Sequence, residues 1–204
     1  MERKRSDEKS KRIPSGAAVP RAELTDALYR AFFVEWAEKG FAAVSLERVA
    51  ARAGAGKAAI YRRWPSRGAF AAEAVEALGV RMAMVEDRGS LDADVTAFLF
   101  QLRAVLRHPL VRRILPDLHA ETARSPEMRA LNARLALQRR GHGLALLERA
   151  MARGELPSTL DTKLALDLIP APLYWRMVVV GATPSRGEVI KMGSAITAGL
   201  RALA

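Results

Sequence analysis

The stretch "SLERVAARAGAGKAAIYRRWPSR", residues 45–67, limits what this chain can fold into more than any other. It holds two segments with helical patterning, "LERVAARAG", with Leu46, Val49, Ala50 and Ala53 on one face, and "AAIYRRW". Each spans about two turns, and a helix that short does not stand alone in water because its nucleation cost is not recovered. Both therefore need neighbours to pack on. Ser45 reads as an N-cap, Gly54 as a left-handed stop, Pro65 as a terminator and Ser66 as the next cap. Between the segments lies "GAGK", whose Gly-Lys pair also occurs in phosphate-binding loops. Such a loop needs Gly, four residues, then Gly-Lys-Ser/Thr, with the hydroxyl on a magnesium ion. Here Ala51 stands at the first glycine, Ala58 stands at the hydroxyl, and no Val/Ile-rich strand comes before. The tetrapeptide is a corner between two helices.

The rest of the chain continues the helical pattern. Leu24, Leu28, Ala31, Phe32 and Trp36 recur at helical spacing from residue 21 to a glycine stop at Gly40. Phe70, Ala74, Val75, Leu78, Met82 and Val85 predict a fourth helix to about Arg88, and Ser90 caps a fifth that runs to His108 before Pro109. Further helices are expected at 110–123, 126–153, 160–180 and 186–202. Two of these starts carry a capping-box pattern, Ser158 with Asp161 and Ser185 with Glu188. No alternating strand pattern occurs, so the expected fold is all-α with about nine helices.

Composition narrows the function. At 50% hydrophobic, the 204 residues can bury a core. With no cysteine, disulfides and thiolate metal sites are excluded. The start "MERKRSDEKSKRIPSG" lacks the apolar segment of a signal peptide, and the most apolar late stretch, "LIPAPLYWRMVVVGA", is broken by two prolines and Arg176. A cytoplasmic protein with no membrane partner is expected. His108, His119 and His142 show no ligand spacing, no nucleophile elbow occurs, and Asp92 and Asp94 face different ways on a helix. No metal, cofactor or enzyme activity is implied; a small helical enzyme is one alternative, and a membrane-surface protein is the other. Dispersal of the charges among separately capped, core-forming helices argues against the latter. The formal net charge of +11 is uneven: residues 1–70 hold 15 Lys and Arg against 8 Asp and Glu. A basic N-terminal third is the footprint of a module that binds a polyanion, because neutralising phosphates releases condensed counterions.

A short helix, a tight glycine turn and a short basic helix make a helix-turn-helix, whose second helix fits the major groove of double-stranded DNA. Residues 24–72, with Gly40-Phe41, Ser45, Val49-Ala50, Ala53-Gly54, Ile60-Tyr61 and Pro65-Ser66-Arg67 in register, resemble the DNA-binding domain of the tetracycline-repressor (TetR/AcrR) family of bacterial transcription regulators. Residues 152–184 are similar to the C-terminal domain of a subset of that family. The sequence departs from the family pattern at Glu35, Ala58, Arg63, Trp64 and Gly68. From position on the helices, Ser45 can offer a hydroxyl and free N–H groups to a phosphate, Lys57 can reach bases or phosphates, and Ala58 and Ala59 are small enough to meet a thymine methyl. The resemblance implies phosphate contacts for Tyr61 and Arg67. Arg62 and Arg63 are adjacent, so about 100° of rotation separates them and at most one points squarely into the groove. Ile60 and Trp64 are expected in the core. The basic arm, with Arg3, Lys4, Arg5, Lys9, Lys11 and Arg12, either tracks DNA or serves as a solubilising tail.

The expected organisation is a disordered basic arm at 1–20, a helix-turn-helix domain at 21–67, a connecting helix at 68–88 and a ligand-binding and dimerisation domain at 89–204. The resemblance implies a homodimeric repressor that binds a palindromic operator and is released by a small apolar effector. Leu164, Leu168, Val178, Val179, Val189, Ile190, Ile196 and Leu200 of the last two helices are expected to pair with their symmetry mates. Pro170 and Pro172 should bend their helix and open a cavity lined by Tyr174, Trp175 and Met177, facing Phe98, Leu102, Leu118 and Met128.

Overall fold

The computed structural model describes residues 21–81 and 86–203; the arm at 1–20 and the segment 82–85 lie outside the described residues. Among the described residues the structure is helical with no strand. Helix α1 (Arg21–Lys39) stops at Gly40, whose φ of 77° suits glycine and whose amide donates to the Trp36 carbonyl at 2.9 Å. A single 3-10 turn (Phe41–Ala43) then drops Phe41 into the core and sets Ser45 as N-cap of α2 (Leu46–Arg52), its Oγ accepting from the Arg48 amide at 3.3 Å. Helix α2 closes in a Schellman motif. The Ala55 amide donates to the Ala50 carbonyl at 2.8 Å and the Gly54 amide to Ala51 at 3.2 Å, with Gly54 at φ 71°. Helix α3 (Lys57–Arg63) begins one residue after this turn. The "GAGK" stretch is thus a helix cap followed by a helix start.

These two short helices persist because of what lies beneath them. Phe32, Trp36, Phe41, Ile60 and Phe70, the last on α4 (Arg67–Arg81), are fully buried in one cluster with Trp64. Burying each large side chain contributes about 1.5–3 kcal/mol, which replaces the stability that two turns of helix lack. The rings of Phe32 and Phe70 lie 5.0 Å apart and those of Trp64 and Phe70 4.5 Å apart.

Glu35 is 1% exposed within this layer, and Arg48 of α2 reaches it with Nε at 2.5 Å while Arg52 stands at 3.6 Å. The carboxylate clamps α1 to α2. Replacing a buried ion pair by an apolar residue of similar volume is often neutral or stabilising, since the desolvation cost disappears with the charge. Glu35→Leu should therefore leave the stability within about 1 kcal/mol of wild type or raise it. A large drop in thermal melting would show that the pair contributes net stability.

The second half of the molecule comprises α5 (Leu91–Arg107), α6 (Pro109–Arg124), α7 (Pro126–Ala152), α8 (Thr162–Leu168), α9 (Ala171–Tyr174) and α10 (Arg186–Ala202). Ser90 caps α5 and Ser185 opens α10 with a complete capping box to Glu188, as their spacing predicts. At about 1.5 Å per residue, the 27 residues of α7 span roughly 40 Å and serve two cores. Met128 and Leu131 enter the N-terminal core, while Leu146, Leu147 and Ala150 enter a second core with α5, α8 and α10.

The structure corrects several boundaries. Residues 86–88 are not helical, and Gly89 turns the chain at φ 84° before Ser90 caps α5, so the fourth helix does not run on to Arg88. Asp161 alone caps α8, accepting from the Leu164 amide at 3.0 Å, and Ser158 sits in a preceding turn because Leu160 is drawn into the second core. The single helix expected over 160–180 is divided. Pro170 and Pro172 have no N–H for the ladder, so α8 gives way to the short α9 and then to one π-helical turn, Trp175–Val179.

Candidate nucleic-acid interface

Helices α2 and α3 cross with Ile60 at the bottom, which turns Lys57, Ala58, Tyr61 and Arg62 outward and leaves Ala59 half-buried. Three of the expected DNA-binding residues converge on one carboxylate that the sequence did not point to. Glu47 accepts from the Ser45 hydroxyl at 2.9 Å and from the Tyr61 hydroxyl at 2.9 Å, and its Oε1 lies 3.0 Å from the Lys57 ammonium. Lys57 first, then the Glu47 amide and the hydroxyls of Ser45 and Tyr61, hold the carboxyl down at about 2. The same contact raises the pKa of Lys57 and of Tyr61. A carboxylate that gathers a hydroxyl, a phenol and an ammonium offers them the acceptor oxygens a phosphate would offer, so Glu47 keeps the three groups oriented and also competes for them.

Only the crossing angle of α2 and α3 brings residues 47 and 61 together, which is why residue spacing alone did not reveal Glu47. Its depressed pKa means that the cluster's contribution to stability is complete above the ordinary carboxylate value of 4.5 and is lost as pH falls through about 2. Glu47→Gln should abolish that acid-limb loss in thermal melts. At neutral pH the variant should bind DNA several-fold tighter, because the carboxylate no longer competes with phosphates for Lys57, Ser45 and Tyr61. Weaker binding would mean that orientation outweighs competition.

The adjacent arginines separate clearly. Arg63 turns back, donating to Thr25 Oγ1 at 2.7 Å and to Glu73, and its guanidinium lies 4.3 Å from the centre of the Trp64 ring. Glu73, on α4, also accepts from the Tyr29 hydroxyl at 2.8 Å and the Trp64 indole at 2.7 Å, which ties three helices together. Burial pushes the Glu73 carboxyl up, but these three donors outweigh it and leave it below its ordinary value. Burial, assisted by Glu73, pushes the Tyr29 hydroxyl up. Among the described residues nothing engages Arg62, so it is the arginine that faces outward. Arg67, expected as a phosphate clamp, is folded inward: it donates to the Ala42 carbonyl at 2.6 Å and stacks 4.5 Å over Phe41. Gly68 leaves space for Glu127, whose Oε1 would lie 1.5 Å from an added Cβ.

In the second core a cavity of about 360 Å³ opens beside the α8–α9 break. Phe98, Leu102 and Tyr174 line it as expected, together with Ile169, Gly143 and Arg139. The other expected residues lie elsewhere. Leu118 and Met128 are buried in the N-terminal core, on the far side of α6 and α7. Trp175 is 59% exposed and Met177 packs half-buried against the second core, because the π-helical turn rotates both away from the cavity. The expected dimer residues divide as well. Val189, Ile196 and Leu200 are buried in their own protomer's core and Leu168 packs against it. Leu164, Val179 and Ile190 stay exposed, with Val178 half-exposed. His119, on α6, contacts the Tyr174 hydroxyl, and two residues earlier Asp117 Oδ2 accepts from the Trp36 indole at 2.6 Å and from the Phe41 amide at 2.9 Å. No helix among the described residues is long and apolar enough to cross a membrane.

A helix-turn-helix with an outward basic recognition helix, carried on a helical domain with its own cavity, defines a DNA-binding transcription regulator. Residues 27–74 match the family model described as bacterial regulatory proteins, tetR family, and residues 85–195 match the tetracyclin repressor-like C-terminal domain. The chain belongs to the TetR family. It is 34% identical over 161 residues to the uncharacterized HTH-type transcriptional regulator Rv1556 of Mycobacterium tuberculosis (strain ATCC 25618 / H37Rv), covering 74% of this chain and 75% of that one. With the uncharacterized HTH-type transcriptional regulator YdeS of Bacillus subtilis (strain 168) it shares 28% over 166 residues, 79% of this chain and 82% of the relative. Among solved structures, Salmonella enterica GusR superposes with a TM-score of 0.69 at 19% identity, covering 91% of this chain and 97% of that one. The fatty acid degradation regulator FadR from Bacillus halodurans superposes at 0.70 and 16% identity, covering 86% and 99%. At these identities the two structures share the fold.

Proposed function

We propose that this regulator is a cytoplasmic homodimeric repressor that binds a palindromic operator through Ser45, Lys57, Ala58, Ala59, Tyr61 and Arg62, and that an effector in the α5–α9 cavity releases it. The observation that carries the reading is the joint outward presentation of Lys57, Tyr61 and Arg62 on a helix whose opposite side is anchored by the fully buried Ile60. Two such helices about 34 Å apart would meet successive major grooves. Division at 21–67, 68–88 and 89–204 remains the working domain scheme, with the N-terminal core borrowing Leu118, Met128 and Leu131 from α6 and α7.

The dimer face draws on the exposed apolar side chains Leu164, Val179 and Ile190, with Trp175 and Val180 also exposed. Exposed apolar side chains of this kind suit an isologous contact about a two-fold axis. Release follows as a population shift: an effector that binds one conformer better favours it only by its differential affinity. The contact chain that supports coupling runs from Tyr174 at the cavity to His119, along α6 to Asp117, and into the helix-turn-helix at Trp36 and Phe41.

Selection of genomic fragments on the purified protein, followed by gel shifts, tests the reading. Tyr61→Phe should weaken binding nearly equally on all sequences, whereas Lys57→Ala should alter base preference or lower the salt slope by about one unit. Unchanged affinity in both variants, or a monomer by light scattering at micromolar concentration, would overturn it.

A further inference from the structure

Arg139 stands exposed at the cavity wall, and among the described residues it has no counter-ion. Its Nε donates to the Leu135 carbonyl at 3.3 Å, one turn back on its own helix, and no carboxylate reaches its Nη groups among the described residues. The neighbouring cation at the rim, Arg140, is matched by Asp167 at 2.6 Å, so Arg139 is the permanent charge left over. The rest of the lining is largely apolar, with Phe98, Leu102, Leu166 and Ile169, and also carries Gln101, His142 and Asp167. Desolvation pushes the Arg139 pKa down, with Tyr174 acting the other way.

An unpaired guanidinium beside an apolar surface is selective in a way that an all-apolar cavity is not. Its planar fork matches a carboxylate bidentately, and one uncompensated positive charge balances a monoanion. A volume of about 360 Å³ lies at the lower end of the range for small-molecule sites, roughly 300–1,000 Å³. Building on the effector reading above, we infer that this cavity takes a small carboxylate-bearing amphiphile, its carboxylate on Arg139 and its apolar body on Phe98, Leu102 and Ile169. The apolar effector that the resemblance implies thereby acquires a charged head. Tyr174 adds a hydroxyl at the same wall, and through His119 it would report occupancy to α6.

The experiment measures binding of octanoate, 2-naphthoate, octan-1-ol and 2-naphthamide to the full chain by calorimetry and thermal shift, with Arg139→Gln and Arg139→Lys as variants. Both carboxylates should bind about 10- to 100-fold tighter than their neutral partners, the range expected for a charge-assisted hydrogen-bonded pair. Arg139→Gln should erase that preference and leave binding of the neutral compounds intact, while Arg139→Lys keeps part of it. Arg139 lies outside both hydrophobic clusters, so the variants should melt with wild type. Equal binding of acids and neutral compounds, unchanged by Arg139→Gln, would overturn the carboxylate assignment and leave the effector cavity standing. Binding of none of the four would overturn the cavity reading itself, and this inference with it.

Discussion

Asp117→Ala is expected to lower stability by about 2–6 kcal/mol, because a single carboxylate oxygen holds two buried donors and leaving each without its acceptor costs about 1–3 kcal/mol. The donors are the indole N–H of Trp36, 2% exposed, and the amide of Phe41, 1% exposed. In a chain of this size the loss should appear as a fall of roughly 4–24 °C in melting temperature. Asp117→Asn separates charge from geometry. Both donors reach the same oxygen, Oδ2, so an amide carbonyl placed there satisfies both, and the variant should melt close to wild type. Since Asp117 joins α6 to the turn before α2, the alanine variant should also respond less to effector at temperatures where it remains folded. A melting temperature within about 1 °C of wild type for Asp117→Ala would remove Asp117 from this role.

Arg62→Ala and Arg63→Ala should fail in opposite ways although the residues are adjacent. Among the described residues nothing engages Arg62, so its loss should leave melting unchanged and lower operator affinity about 10- to 100-fold, the equivalent of 1–3 kcal/mol for one base or phosphate contact. If Arg62 reads a base, the loss concentrates at one operator position; if it meets a phosphate, the salt slope falls by about one unit. Arg63 is bonded to Thr25 and Glu73 and stacked on Trp64, so its removal should lower melting, and affinity should fall evenly across sequences as α3 loosens. Wild-type operator affinity in Arg62→Ala, together with wild-type melting in Arg63→Ala, would reverse the two roles.

The amino-acid sequence by itself determined the helical class, the corner at "GAGK", the caps at Ser45, Ser90 and Ser185, and the outward placement of Lys57, Ala58 and Tyr61. Each of these depends on interactions within a few residues: a side-chain oxygen on the third amide along, a glycine at positive φ, a repeat of three or four positions. Tertiary structure decided everything that depends on which helix faces which. Glu47 and Glu73 gather partners up to 14 and 44 residues away, so no local pattern could reveal them. Val189, Ile196 and Leu200 have the apolar pattern of an interface, yet they fill their own core, because periodicity marks a buried face without saying what buries it. Leu118 and Met128 went to the N-terminal core for the same reason, and the π-helical turn after Pro172 carried Trp175 out of the cavity. Only the packing of α5, α8 and α9 puts Arg139 on the wall of a cavity, with no carboxylate on it among the described residues.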